Sequence, residues 1–251
     1  MIRQGFSAVD TMPTHRSWLL TPCTGESAMA AALESGADAL VVELGAGGPR
    51  AAARERTCAF LAGCDRAAGP AIFVMIAALD DPDCDADVRA LAGARPAGLV
   101  LPRAAGGADA ARLGALLAAA EAEAGLDDGS ITVLPLATQT PASVFGLGTY
   151  AGATGRLAGL AWYLPGLRDA LGSRAAHDET GALTTPYALV RNLCLIGASS
   201  AGVPAIDHAG PEEGKALIDI CNAAWRDGFS GKLALSAAQV PVINGIFGAR
   251  P

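Results

Sequence analysis

The stretch "GADALVVELGAGGPRAAARERT", Gly36 to Thr57, holds one complete structural unit. Its apolar run from Ala39 to Leu44 predicts a buried strand. Gly45, Gly47 and Gly48 then predict a turn, and the alanine-rich, arginine-studded segment from Arg50 to Cys64 predicts a helix. A strand that runs through a loop into a helix is the repeating unit of a parallel sheet, because parallel strands need a crossover to return to the same edge.

The unit recurs on both sides of that stretch. Apolar runs predict further strands at Ser17–Thr21, Ala71–Ala77, Gly98–Leu101, Ile131–Ala137, Leu157–Tyr163, Pro204–Asp207 and Lys232–Ser236. Helical spacing of apolar residues appears at Glu26–Ser35, Ala108–Ala124, Pro186–Ala201 and Lys215–Arg226. Eight such units in 251 residues match a single-domain (β/α)8 TIM barrel, with an open doubly wound sheet as the structural rival.

Composition narrows the function classes. No run reaches the ~18 uninterrupted apolar residues of a membrane-spanning helix, and "MIRQGFSAVDTMPTHRSW" lacks the apolar core of a signal peptide. A cytoplasmic protein with no membrane partner is expected. Net charge is −7 and the arginines are scattered, so no nucleic-acid partner is expected either. The six cysteines form no CxxC pair and are expected to be reduced core thiols.

In a (β/α)8 barrel the chemistry stands at the C-terminal ends of the strands. Those positions hold Cys23, Glu43, Asp80, Asp81, Arg103, Thr138, Gln139, Tyr163, Asp207, His208 and Ser236, a set short of charge for an active site. The glycine loop after Glu43 is not a dinucleotide fingerprint, since Arg50 occupies the third glycine position. Lys215 falls in a helix and Lys232 at the start of a strand, so neither suits Schiff-base chemistry. No nucleophile elbow accompanies the three histidines. A hard-metal site would need converging carboxylates, for which Glu43 and Asp207 are the candidates, while Asp80 and Asp81 read as solvated turn residues.

The C-terminal third is more specific. "AGVPAID" (Ala201–Asp207) and "GFSGKLALSAAQVPVINGIF" (Gly228–Phe247) resemble the HpcH/HpaI aldolase and citrate lyase beta-subunit family, which reads GFxGKxxIHPxQV followed by INxxF at this place. "SWLLTP", "SGADALVVEL", "GLVLPR", "VLPLATQTP" and "RLAGLAWYLPGLRDALG" fall in the family's order and spacing. The resemblance implies a phosphoenolpyruvate-binding-type (β/α)8 barrel, usually homo-oligomeric. It also implies Mg²⁺-assisted carbon–carbon bond making or breaking in small 2-oxo carboxylates or acyl-CoA thioesters.

Carried over position by position, the family's functional residues are mostly replaced. Of its acidic "DLEDAV" only Glu43 keeps a charge, and Gly45 stands in the emptied loop. The arginine of "RVN" falls on Met75, the metal-binding glutamate of "PLIET" on Thr138, and the metal-binding aspartate of "GAEDL" on Gly166. The histidine of "IHP" falls on Ser236, and Arg103 replaces a lysine. The chain's end soon after Phe247 implies a short or missing C-terminal lid helix.

Three functions stay open on these residues. An altered lyase would use Glu43, Arg103 and Asp207, with Gln139, Thr138, Gly45 and Ser236 around its substrate. A non-catalytic homologue would act beside an active relative, and a binding module would hold a small anion or acyl-CoA at Arg103 and the glycine loop. An altered lyase should keep a polar pocket at the strand ends, whereas a non-catalytic homologue should fill that mouth with Met75, Trp162, Tyr163 and Leu164.

Overall fold

The computed structural model describes residues 15–46 and 48–248. Gly47 of the glycine loop lies outside them.

The elements follow the alternation that the sequence predicts. They begin β1 (Ser17–Pro22), α1 (Glu26–Leu33), β2 (Ala39–Glu43), α2 (Arg50–Gly63), β3 (Ala71–Met75), α3 (Cys84–Ala94), β4 (Gly98–Leu101) and α4 (Gly107–Glu123). The second half runs β5 (Thr132–Pro135), α5 (Pro141–Gly146), β6 (Leu160–Ala161), α6 (Leu167–Ala170), α7 (Thr185–Ala201), β7 (Ala205–His208), α8 (Gly214–Asp227), β8 (Gly231–Ala234) and α9 (Val240–Phe247).

All strand pairs are parallel, in the order β5-β4-β3-β2-β1-β8-β7-β6. The two outer strands then meet through parallel bridges at Val133–Leu157 and Leu136–Ala161. That closure makes the sheet a (β/α)8 barrel and rules out the open doubly wound alternative.

Strand alternation sorts the side chains into two layers. Trp18, Leu20, Val41, Phe73, Val100, Leu134, Ile206 and Leu233 fill the barrel interior. Their strand neighbours face outward into the helices, where Leu19, Leu40, Tyr187, Cys194, Leu217 and Phe229 join a second apolar cluster. A third cluster packs α2, α3 and α4 against β2 to β5 through Val42, Leu61, Leu91, Leu99, Leu113 and Val133. The expectation of core thiols holds in part: Cys23, Cys84, Cys194 and Cys221 are buried, Cys58 and Cys64 are half-buried, and all six are free.

The helices α3, α5, α6 and α9 are not among those the sequence reading names, and one strand is shorter than expected. The segment "LDDPDCDAD" is a turn only as far as Asp83, because α3 starts at Cys84 with Asp85 and Asp87 in its first turn, where carboxylates favour a helix N-terminus. The strand expected over Leu157–Tyr163 shrinks to Leu160–Ala161. Among the described residues, no helix is long and apolar enough to cross a membrane.

Candidate functional site at the barrel mouth

The mouth is built by continuing the inward alternation one step past each strand. On β2 this brings Glu43 inward after Ala39 and Val41, and on β3 it brings Met75 inward after Phe73. On β5, β6 and β7 the same parity selects Thr138, Tyr163 and His208. Met75 and Tyr163 pack directly on the interior cluster. The Tyr163 and His208 rings meet edge to face at 5.1 Å. Of the bulky residues expected at a filled mouth, Met75 and Tyr163 stand there, both half-buried. Trp162 and Leu164 do not join them, since both pack outward among the helices.

The mouth's electrostatics are those of a poorly hydrated place. Burial raises the Glu43 carboxyl above its usual range, and no hydrogen bond or ion pair from another described residue offsets it. Burial also pushes the Tyr163 phenol up to about 12, with the Glu43 charge adding to the effect. His208 is pushed down to about 4, chiefly by burial, and its Nε2 has no hydrogen-bond partner.

The two positions that should hold a metal, by resemblance, are occupied differently. The Thr138 hydroxyl is buried and engaged with the end of β6, accepting from Tyr163 N–H at 2.9 Å and donating to the Tyr163 carbonyl at 3.3 Å. Gly166 has no side chain and sits at φ +89°, where an L residue is strained. A Cβ there would also stand 3.2 Å from the Gln139 carbonyl oxygen. Mg²⁺ favours octahedral oxygen ligands that include carboxylates. A neutral, committed hydroxyl and a glycine do not fit that ion, and among the described residues no cluster of His, Cys, Asp or Glu could hold a metal.

The remaining predicted residues fall into separate places. Arg103 and Gln139 do come together on the rim, where Arg103 N–H donates to Gln139 Oε1 at 2.6 Å with Arg103 held at φ +55°. The Arg103 guanidinium leans outward to Asp80 at 3.1 Å, in an exposed pair. Asp81 accepts from Asp83 N–H at 2.9 Å, which is a turn role. Ser236 caps the short 3-10 turn at Ala237–Gln239 without a side-chain hydrogen bond. Gly45 lies in the 3-10 turn Leu44–Ala46.

Asp207 requires a correction to the expected site. Because Ile206 points into the barrel, Asp207 points out of it. There it is 2 % exposed and bonds Lys232 Nζ at 2.6 Å and the Arg191 guanidinium at 3.0 and 3.1 Å. The two cations hold its carboxyl below the usual range even though burial opposes this. Arg191 also reaches Asp227 at 2.7 Å and lies 4.5 Å over the Phe229 ring. Asp207 therefore belongs to an ion cluster in the wall and does not meet Glu43 at the mouth.

Arg50, which follows the glycine loop, is likewise committed. It donates to Asp87 at 2.5 and 2.9 Å, while Arg54 reaches the same carboxylate at 3.0 Å. Asp87 is fully buried and also accepts from Ala77 N–H at 2.8 Å. The sequence reading missed Asp87, and with it the tie between the glycine loop's helix and the turn after β3. An arginine pair one helical turn apart, facing an aspartate on the next predicted unit, was the available signal.

No family model matches the chain and no curated protein matches it in sequence. Solved structures do. RipC from Yersinia pestis aligns over 94 % of this chain and 95 % of its own, at 25 % identity and TM-score 0.72. The citrate lyase beta subunit from Mycobacterium tuberculosis, complexed with oxaloacetate and magnesium, aligns over 95 % and 98 % at 23 % identity and TM-score 0.76. CitE from the same organism, bound to the triphosphate group of ATP, aligns over 94 % and 98 % at 24 % identity and TM-score 0.77. The chain thus shares the (β/α)8 fold of RipC and of the citrate lyase beta subunit, the fold that its sequence motifs lead one to expect.

Proposed function

We propose that this barrel no longer performs magnesium-dependent carbon–carbon bond cleavage and serves as a non-catalytic homologue that acts through assembly with another protein, such as an active relative. The observation that carries this reading is the pair Thr138 and Gly166, one hydroxyl tied to the Tyr163 backbone and one position without a side chain. Met75 in place of a substrate-binding arginine, packed on the barrel interior, supports it further. The same reading makes the protein a cytoplasmic homo-oligomer or a subunit of a mixed assembly, which light scattering with and without a co-expressed relative would test.

The deciding experiment is a calorimetric titration with Mg²⁺, with and without oxaloacetate or pyruvate, alongside an assay for cleavage. No saturable binding at millimolar Mg²⁺ is expected. Saturable binding that the carboxylate strengthens would overturn the reading.

One observation favours a second reading. Glu43 keeps an unpaired carboxyl whose pKa is raised by burial, as suits a general base. An altered lyase would then rest on Glu43 with Arg103 and Gln139 at the rim, acting on a small carboxylate or acyl-CoA. A Glu43→Gln variant that abolished a measured turnover would favour it.

A further inference from the structure

A cavity of about 1090 Å³ opens beside the mouth, between α7 and α8, and is floored by the ends of β6, β7 and β8. That volume is enough for a drug-sized ligand. It adjoins the mouth, sharing Gly166 and His208 with it, and extends outward past Asp207 and Lys232, which reach it from the outer face of the barrel.

The lining is unbalanced in charge. Five carboxylates face the cavity against three cations, Arg168, Arg191 and Lys232. Asp207 is neutralised by Lys232 and Arg191, Asp227 by Arg191, and Asp169 by Arg168 at 3.5 Å. Asp219 pairs with Lys215, which stands outside the lining in solvent. Among the described residues Glu212 has no cation, and its Oε2 is buried without a hydrogen-bond partner. An unpaired buried carboxylate oxygen is costly, and a donor placed against it removes that cost. Apolar residues, among them Leu183, Ile220 and Ala223, also line it.

We propose that this cavity binds a cationic amine with an apolar body, its ammonium paired with Glu212 and its hydrocarbon lying along Ile220 and Ala223. The excess of carboxylates repels an acid of the same shape, so the site selects by the sign of the charge. This goes beyond the proposed function, and it rests on that reading only in that Gly166 leaves no carboxylate for a metal in the shared wall; amine and Mg²⁺ are titrated separately, so each can fail without the other.

The test is calorimetric titration of the whole protein with n-hexylamine, using hexanoate and hexanol as probes of equal length. Saturable one-to-one binding of the amine is expected, with hexanoate at least tenfold weaker. Glu212→Gln should weaken amine binding by about tenfold or more, the usual worth of a charge-assisted hydrogen bond. Ala223→Phe, which fills the cavity from the α8 side, should abolish binding while the melting curve shows a folded protein. The proposal is overturned if the amine does not bind, if hexanol or hexanoate binds as well, or if Glu212→Gln leaves the affinity unchanged.

Discussion

The mouth of the barrel and the wall behind β7 and β8 divide the charge in opposite ways. At the mouth, positions where the resemblance calls for acids hold Thr138 and Gly166, and Glu43 has no partner among the described residues. On the outer face of the sheet, Lys232, Asp207, Arg191 and Asp227 form a continuous chain of ion pairs. In that cluster each carboxylate has a cation, whereas Glu43 at the mouth and Glu212 in the neighbouring cavity have none among the described residues. Under the non-catalytic reading proposed above, this is the expected direction of change, because unbalanced acids cost stability when nothing binds them.

Removing one member of the wall cluster should give the largest effect. Lys232→Met leaves Asp207 with Arg191 alone and should cost about 3–5 kcal/mol in urea unfolding. A loss under about 1 kcal/mol would mean that the wall is no more dependent on its pairing than the mouth. Next, Asp87→Asn weakens the anchors of Arg50 and Arg54 and should cost about 2–3 kcal/mol, measured the same way. An equal cost for Thr138→Val would erase the contrast between committed charge and committed hydroxyl.

A pH series sharpens the comparison at the mouth. The folded state holds His208 near 4, below its ordinary 6.5, so the unfolded chain binds the extra proton between those values. Stability should therefore fall as pH drops from about 6.5 to about 4, and His208→Asn should flatten that part of the melting profile. Asp207 adds its own loss only as pH falls below the ordinary carboxylate range, because its folded pKa is lowered. The smallest effect belongs to the rim, where Arg103→Ala should change stability by less than about 0.5 kcal/mol, since its pair with Asp80 is exposed.

Most of the fold is legible in the sequence because each strand is a short apolar run set between helical patterns. All eight expected strands appear, with ends shifted by at most a few residues. The α3 helix is not legible, because its start is rich in aspartate, which signals turns as readily as helix N-termini. For the site, the replacements at Thr138 and Gly166 can be read from motif alignment alone. The direction of Asp207 cannot, because a one-residue change of parity exchanges the barrel's two faces, and only packing shows that Ile206 is the inward residue. The pairing of Arg50 with Asp87 is hidden for a related reason, as it joins two helices 37 residues apart.

The closure between β5 and β6 carries a further consequence. Six of the eight strands are joined to both neighbours by ladders, but these two meet only at isolated bridges, and β6 is two residues long. The ring has a zip fastener with few teeth. Amides on either side of it should exchange with solvent before those of β1 and β2, and a chain whose two ends are joined by a linker and which is cut between Pro141 and Leu157 should still assemble the other seven joints.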